Sequence, residues 1–145
     1  MKRNDIISEG DWMLHSIQKY NQEGDYDLLW DLRRTTLFDI MFWHDNDWED
    51  SDYEEFLKPI PLSVEILVRN GFREDGPRCY ALEPGGDTKV HVIVGDSGSV
   101  VMLVAESERA FFRFYGNVHV HELQHVYRMC GINGDIYLDG INVFD

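Results

Sequence analysis

The chain has few cysteines, few prolines and few basic residues for its length. Two cysteines, Cys79 and Cys130, are too few for a disulfide scaffold in a 145-residue protein, and neither has metal-ligand spacing around it. There are 13 Lys and Arg against 27 Asp and Glu, which gives a net charge of −14. This balance argues against nucleic acid as a direct ligand, because phosphate contacts need clustered cations. An acidic protein is expected to prefer a basic partner or a cation.

Long apolar runs are also missing. After Met1 only two apolar residues precede Ser8, so we expect neither a signal peptide nor a transit peptide. Runs such as Val100 to Ala105 have strand length and fall far below the roughly 20 residues that a membrane-spanning helix needs. We therefore expect a cytoplasmic protein that does not engage a membrane.

The length and the composition favour a single domain. Hydrophobic residues make up 43% of the chain, which is enough to fill one core. Residues 1–58 hold 15 acids, 6 bases and all four tryptophans, whereas residues 59–145 hold 12 acids, 7 bases and valine-rich runs. We predict one α+β domain over residues 1–145, in which 1–58 and 59–145 are candidate lobes.

The first part of the chain gives mixed signals for secondary structure. Enrichment in β-branched and aromatic residues predicts strands at 11–15 and 35–43, while 18–34 fits a helix or a hairpin. Seven acids then occur within the eleven residues 45–55, and their mutual repulsion predicts a solvated loop. These acids are Asp45, Asp47, Glu49, Asp50, Asp52, Glu54 and Glu55.

A short helix is well specified after Pro61. Ser63 can cap the first-turn amides, and Glu65 lies where the helix dipole favours an anion. Gly71 supplies a left-handed residue after the last turn, and Phe72 can fold back onto Leu67, as in a Schellman motif. The pattern predicts a two-turn helix with both ends capped.

The remaining chain indicates a sheet covered by a helix. Short turns separate four strand-like runs, which favours an antiparallel meander. Apolar residues at helical spacing predict a covering helix, and Asp139-Gly140 is a dipeptide typical of a hairpin turn. The predicted strands are 79–83, 89–94, 99–105 and 110–115, the helix is 118–130, and the terminal hairpin joins 136–138 to 141–144.

Two segments resemble a known family. They are Pro59-Ile60-Pro61-Leu62-Ser63-Val64-Glu65-Ile66-Leu67 with Asn70-Gly71-Phe72, and Val118-His119-Val120-His121-Glu122-Leu123-Gln124-His125. They resemble small uncharacterised proteins of Bacteroides-type bacteria and their phages and prophages, which read PIPLT, nGF and VHeLQ at these places. Residues 8–13 also resemble a turn near the start of those proteins, which implies a small, open barrel-like N-terminal β part. The resemblance implies no agreed activity.

One string has the form of an enzyme motif. His121-Glu122-Leu123-Gln124-His125 reads H-E-x-x-H, in which two histidines on one helix face bind zinc and the glutamate polarises the bound water. No histidine or glutamate follows His125 as a third ligand; only Asp135, Asp139 and Asp145 do. The family it resembles commonly has asparagine in place of His125. A zinc hydrolase is therefore the alternative function, and the simpler interpretation is two histidines flanking an amphipathic helix.

The acidic stretch offers a different function. A calcium loop is improbable, because Asp50 stands where a glycine is needed and Phe56 where a bidentate glutamate is needed. Carboxylates interleaved with aromatic rings can imitate a nucleic-acid backbone and occupy the basic groove of a nucleic-acid-binding or defence protein. The simpler interpretation is a solvated loop that keeps the protein soluble.

We predict a non-enzymatic accessory protein of phage or prophage type, without a cofactor, that binds a protein partner with a basic surface. The candidate partner-binding residues are Asp45, Asp47, Trp48, Glu49, Asp50, Asp52 and Tyr53.

Overall fold

The computed structural model describes residues 7–108 and 110–144. The chain splits into two compact units, Met1–Ile60 with Val143–Asp145 and Pro61–Asn142. Helices and two antiparallel sheets occur within the described residues, which confirms the α+β class. The N-terminal residues 1–6 and Asp145, both considered in the sequence analysis, lie outside the described residues.

The first unit is built on a long β-hairpin. Strands β1 (Trp12–Tyr20) and β2 (Tyr26–Arg34) pair over nine residues each, so residues 18–34 contribute to a hairpin and not to a helix. The Asn21 side chain accepts two backbone N–H groups of the connecting loop, which holds the turn. The short strand β3 (Leu57–Lys58) completes an open sheet of order β2-β1-β3, which does not close into a barrel within the described residues.

Helix α1 (Leu37–Asp45) occupies the segment that the composition assigned to a strand, so that prediction is wrong. The Thr36 hydroxyl accepts the Asp39 N–H, and the Asp39 carboxylate accepts the Thr36 N–H at 2.7 Å, which forms a capping box. Asp39 also accepts two hydrogen bonds of 2.7 Å from Arg33. Fixed first-turn contacts of this kind outweigh the weak β propensity of the apolar residues that follow.

Helix α2 (Asp50–Phe56) occupies the second half of the predicted acidic loop 45–55, which is a second correction, whereas residues 46–49 are a loop as predicted. Glu49 and Asp52 form a capping box, in which the Asp52 carboxylate accepts the Glu49 N–H at 2.9 Å. Asp50 and Asp52 lie in the first turn, where the partial positive charge of the helix N-terminus favours anions. The repulsion among the acids is thus partly offset by backbone amides.

Aromatic rings hold α1 and α2 together. The ring centroid of Trp48 lies 5.5 Å from that of Trp43 and 5.2 Å from that of Tyr53. Trp43 is buried with Met13 of β1 and Leu57 of β3, and these three form the core of the first unit. The two helices are therefore joined to the sheet by this aromatic core.

The second unit begins with helix α3 (Val64–Arg69), and its predicted caps are confirmed. The Ser63 hydroxyl accepts the Ile66 N–H at 3.3 Å. Gly71 has a φ of 89°, its N–H donates to the Val68 carbonyl, and the Phe72 N–H donates to the Leu67 carbonyl at 3.0 Å. These two bonds are those of a Schellman motif.

Replacing this glycine tests the cap. Gly71→Ala is expected to lower the free energy of unfolding by about 1 kcal/mol, because a side chain at positive φ is strained although space is available. Gly71→Asn should cost less, since asparagine tolerates the left-handed region. Urea denaturation of the three proteins measures the difference, and an alanine variant as stable as the wild type would show that the cap is unimportant.

The antiparallel meander is confirmed. The second sheet has the order β4-β5-β6-β7-β8. Alternate residues of the central strands are buried, such as Val90 and Val92 opposite Ala105 and Leu103. The strands are β4 (Arg73–Glu74), β5 (Cys79–Gly85), β6 (Thr88–Val94), β7 (Val100–Glu106) and β8 (Phe111–Tyr115).

Helix α4 (Val120–Met129) is also confirmed, and it covers this buried face of the sheet. Leu123, Val126 and Tyr127 are buried, and the His125 ring meets the ring edge of Phe112 on β8. No helix in the described part of the chain is long and apolar enough to cross a membrane.

The predicted terminal hairpin is wrong, because residues 136–138 and 141–144 are not strands. The turn at Gly140 exists, with the Ile141 N–H donating to the Leu138 carbonyl at 3.1 Å. However, the Asn70 amide of the α3 end bonds both the N–H and the carbonyl of Tyr137. Arg69 donates to the Asp139 carbonyl at 2.9 Å. Side chains at the end of α3 thus form hydrogen bonds with backbone groups that would pair with each other in a β-hairpin.

Candidate functional site

Helix α1 leaves one apolar side uncovered, which we call the α1 face. Its members are large hydrophobic side chains with at least half of their surface exposed, up to 83% for Phe38. A helix that is apolar on every side is normally buried, and exposed apolar patches mark interaction sites. The α1 face consists of Leu37, Phe38, Met41 and Phe42.

This face does not follow from the sequence-based prediction, in which the segment is a strand. The pattern that predicts the helix is Thr36-x-x-Asp39, a capping-box pattern followed by apolar residues. Along a strand these side chains would alternate between two sides. In the helix, positions 37, 38, 41 and 42 instead fall on one side.

A cavity of about 350 Å³ lies beside α1 in the first unit. Six of its ten lining residues are aromatic or aliphatic when His15 is counted, and the other four are polar or charged. Binding pockets combine apolar walls with such polar groups. It is lined by His15, Ser16, Gln18, Arg33, Asp39, Phe42, Trp43, Trp48, Phe56 and Leu57.

The charged pair in the cavity wall is internally neutralised. Arg33 and Asp39 share two hydrogen bonds of 2.7 Å, the bidentate geometry that guanidinium and carboxylate groups favour. Burial works to raise the pKa of the Asp39 carboxyl, but hydrogen bonds from Arg33 and Thr36 outweigh it and hold that pKa well below its ordinary value. The pair orders the start of α1 and leaves the cavity without net charge from these two groups.

His15 is a neutral group in the cavity wall. It is only 4% exposed, it stacks on the Trp43 ring, and its Nε2 lies 3.4 Å from the Thr35 hydroxyl. Burial, together with the positive charge of Arg33, lowers the pKa of His15 to about 4. The imidazole therefore presents a hydrogen-bonding group without charge at neutral pH.

Acidic residues are dense in α1, in α2 and in the segment between them. Residues 37–56 contain eight carboxylates and no lysine or arginine. Asp45 ends α1, and Glu54 and Glu55 lie in the last turn of α2. Helix C-termini carry partial negative charge, so carboxylates there reduce helix stability by roughly 0.3–1 kcal/mol each.

The seven predicted binding residues fall into two groups. Asp45, Asp47 and Asp50 are exposed, and Asp47 has a positive φ of 51° between the helices. Glu49 and Asp52 cap α2, while Trp48 and Tyr53 are half-buried in the aromatic core. Of the exposed three, Asp45 has a carboxylate oxygen 3.6 Å from the His44 Nδ1, and Asp50 lies in the first turn of α2. The structure brings all seven together around the two helices.

The H-E-x-x-H string lies on helix α4. Glu122 caps the helix by accepting the His119 N–H at 2.9 Å. Burial works to raise the pKa of the Glu122 carboxyl, but hydrogen bonds from His119 outweigh it and lower that pKa. His121 is buried, and His125 packs on Phe112. Among the described residues, no three His, Cys, Asp or Glu side chains are placed to hold a metal ion.

No protein-family model, curated protein or solved structure matches this chain.

Proposed function

We propose that the protein is a binding module that uses the α1 face and the surrounding carboxylates to engage a protein with a basic surface. The apolar side chains supply buried contact area, and the carboxylates supply charge complementarity and steering. In this function the candidate residues Asp45, Asp47 and Asp50 contact or attract the partner. Glu49, Asp52, Trp48 and Tyr53 keep α2 and the aromatic core in place.

The placement of the carboxylates carries this proposal. Asp45, Glu54 and Glu55 are located at helix C-termini, where the dipole opposes them, so helix stability does not account for their presence. Asp45 lies one helical turn after Met41 and Phe42 of the α1 face, and Glu54 and Glu55 lie on the neighbouring helix α2. Their charge can act on another molecule. An intermolecular role explains both features.

The class of partner follows from charge. The protein carries a net charge of −14, and carboxylates interleaved with aromatic rings present the charge pattern of a nucleic-acid backbone. We therefore propose a basic, nucleic-acid-binding or defence protein of the host cytoplasm as the partner. The resemblance to phage and prophage proteins supports an accessory role of this kind.

The proposal is tested with an acid variant that avoids the helix caps. It combines Asp45→Asn, Asp47→Asn, Glu54→Gln and Glu55→Gln. Partners captured from bacterial lysate by the wild type at low salt should bind the acid variant at least tenfold more weakly, because steering by clustered charge is worth roughly 10–1,000-fold in association rate. Binding should also weaken steeply with salt, since the Debye length is about 10 Å at 0.1 M.

A matched control removes the same charge elsewhere. It combines Glu74→Gln, Glu83→Gln, Asp87→Asn and Glu106→Gln, all of which are exposed in the second unit. This control should bind like the wild type. A captured partner that ignores both salt and the acid variant would contradict the proposed function.

A further inference from the structure

Strand β1 extends well beyond its neighbour β3. Among the described residues, β3 pairs with β1 only at Leu14 and His15, whereas β1 continues to Tyr20. Ser16 is partly buried, and residues 17–20 are exposed. Exposed strand edges present backbone donors and acceptors that can pair with another chain.

The register shows which backbone groups face this edge. The Asn21 N–H donates to the Asp25 carbonyl, so Asn21 and Asp25 form a hydrogen-bonded pair across the hairpin. Such pairs alternate along an antiparallel ladder, which assigns the odd residues of β1 to bonds with β2. The N–H and C=O of Gln18 and Tyr20 therefore point to the open edge.

The cavity lies directly beside this edge. Ser16 and Gln18 line it from β1. Phe42 of α1, Trp48 of the segment between the helices and Phe56 at the end of α2 line it from the other side. Its volume of about 350 Å³ is sufficient for one large apolar side chain. An added strand would project alternate side chains toward it, one of which can enter the aromatic pocket.

We infer that the partner's docking segment is an extended, basic peptide that adds as a strand to the β1 edge at Gln18 and Tyr20 and inserts an apolar side chain into this cavity. Backbone bonds supply affinity and the pocket supplies specificity, as in other cases of strand addition. Lysine or arginine residues of the peptide pair with the carboxylates of α1 and α2. The inference rests on the proposed function and gives the binding mode of that partner.

Charge favours a partner over a second copy of this chain. Each copy carries a net charge of −14, and residues 37–56 of each contain eight carboxylates without lysine or arginine. Two such surfaces repel one another when they approach at one edge. A basic peptide meets the same surface with complementary charge.

The experiment uses a short capped peptide that alternates lysine with leucine and phenylalanine. Gln18→Pro removes the edge N–H without removing a bond to β2, and it should weaken peptide binding at least tenfold. Gln18→Ala shortens the same side chain but retains the N–H, so it should bind the peptide at least tenfold more tightly than Gln18→Pro. Leu28→Pro removes an outer N–H on the opposite edge, at β2, and should leave peptide binding unchanged.

Modified peptides provide a second readout. N-methylation of alternate peptide residues removes every second backbone N–H donor. Methylation of the residues whose N–H groups face β1 should abolish binding, and methylation of the other alternate residues should not. The inference is overturned if Gln18→Pro binds like Gln18→Ala, if the wild type does not bind the peptide, or if both methylated sets behave alike. It is also overturned if the wild type self-associates and Gln18→Pro makes it monomeric, because the occupant is then a second copy.

The two proposals fail in distinguishable ways. If the acid variant loses the peptide while Gln18→Pro retains it, the strand-addition inference is wrong and the proposed function stands. If binding depends on Gln18 but neither on the carboxylates nor on salt, the edge is a docking site for a partner that is not basic. That result would contradict the proposed function.

Discussion

Asp39→Asn is expected to lower the free energy of unfolding by about 2 kcal/mol. The substitution keeps the size of the side chain but removes the charge that accepts two hydrogen bonds of 2.7 Å from Arg33. Hydrogen bonds to charged groups contribute about 1.5–3 kcal/mol, and Arg33 in the cavity wall would be left with weaker contacts, such as that of 3.9 Å with Asp31. The capping box of α1 would also weaken, so far-ultraviolet circular dichroism should report a loss of helix.

The pH dependence of this effect has a definite sign. The pKa of Asp39 lies below its ordinary value in the folded protein, so the unfolded chain takes up the proton first as the pH falls. The stabilisation of the fold by the ionised Asp39 carboxylate is complete well above pH 4 and declines as the pH falls below about 4. The difference between the wild type and Asp39→Asn should therefore shrink in acid.

Asp31→Asn is the matched control for this pair. Its carboxylate lies 3.9 Å from the Arg33 Nε and is 48% exposed, so the same chemical change should cost no more than about 0.5 kcal/mol. Equal losses for the two variants in urea denaturation would show that the bidentate pair has no special role.

His15 is expected to make the protein less stable as the pH falls from 6.5 to 4. Its pKa is about 4 in the folded protein, against 6.5 for an ordinary histidine. Between these values the unfolded chain binds more protons, so the free energy of unfolding rises with pH. Arg33, Asp39 and Asp31 are the charged groups that act on it. Allowing for solvent screening, the loss attributable to His15 is about 1–2 kcal/mol and is complete by about pH 4.

The measurement compares the wild type with His15→Gln by urea denaturation at a series of pH values. Glutamine keeps a hydrogen-bonding group near Thr35 but does not titrate, so the variant should lose less stability between pH 6.5 and 4. His44→Gln, whose side chain is 89% exposed, should follow the wild-type profile. Parallel profiles for the wild type and His15→Gln would exclude His15 as the source of the dependence.

The candidate site could be predicted only in part. The acidic residues and their neighbouring aromatic rings are evident in the sequence, and the structure gathers them around α1 and α2. Their individual roles are not evident, because a carboxylate at a helix N-terminus is a cap and one at a C-terminus is not. Glu49 and Asp52 lie at the start of α2, whereas Glu54 and Glu55 lie in its last turn. The cavity depends on residues from β1, β2 and both helices, which are distant in sequence.

Local sequence signals were sufficient for the elements whose caps and periodicity agree. Helix α3 has Ser63 at one end and Gly71 at the other, and the meander strands alternate buried and exposed residues between short turns. In these elements the bonds that define the structure join neighbouring residues or adjacent strands. The sequence by itself therefore determined α3, the meander and its covering helix α4.

Tertiary structure decided the elements whose local signals conflict. The apolar residues of α1 suit a strand, and the helix forms where Thr36 and Asp39 cap it and Arg33, on another element, fixes the cap. The segment after Ile136 has a hairpin turn, but Asn70 takes the backbone groups of Tyr137. Contacts between residues far apart in sequence contribute more free energy than the weak local preferences that they override. Such contacts cannot be predicted from the periodicity of the sequence.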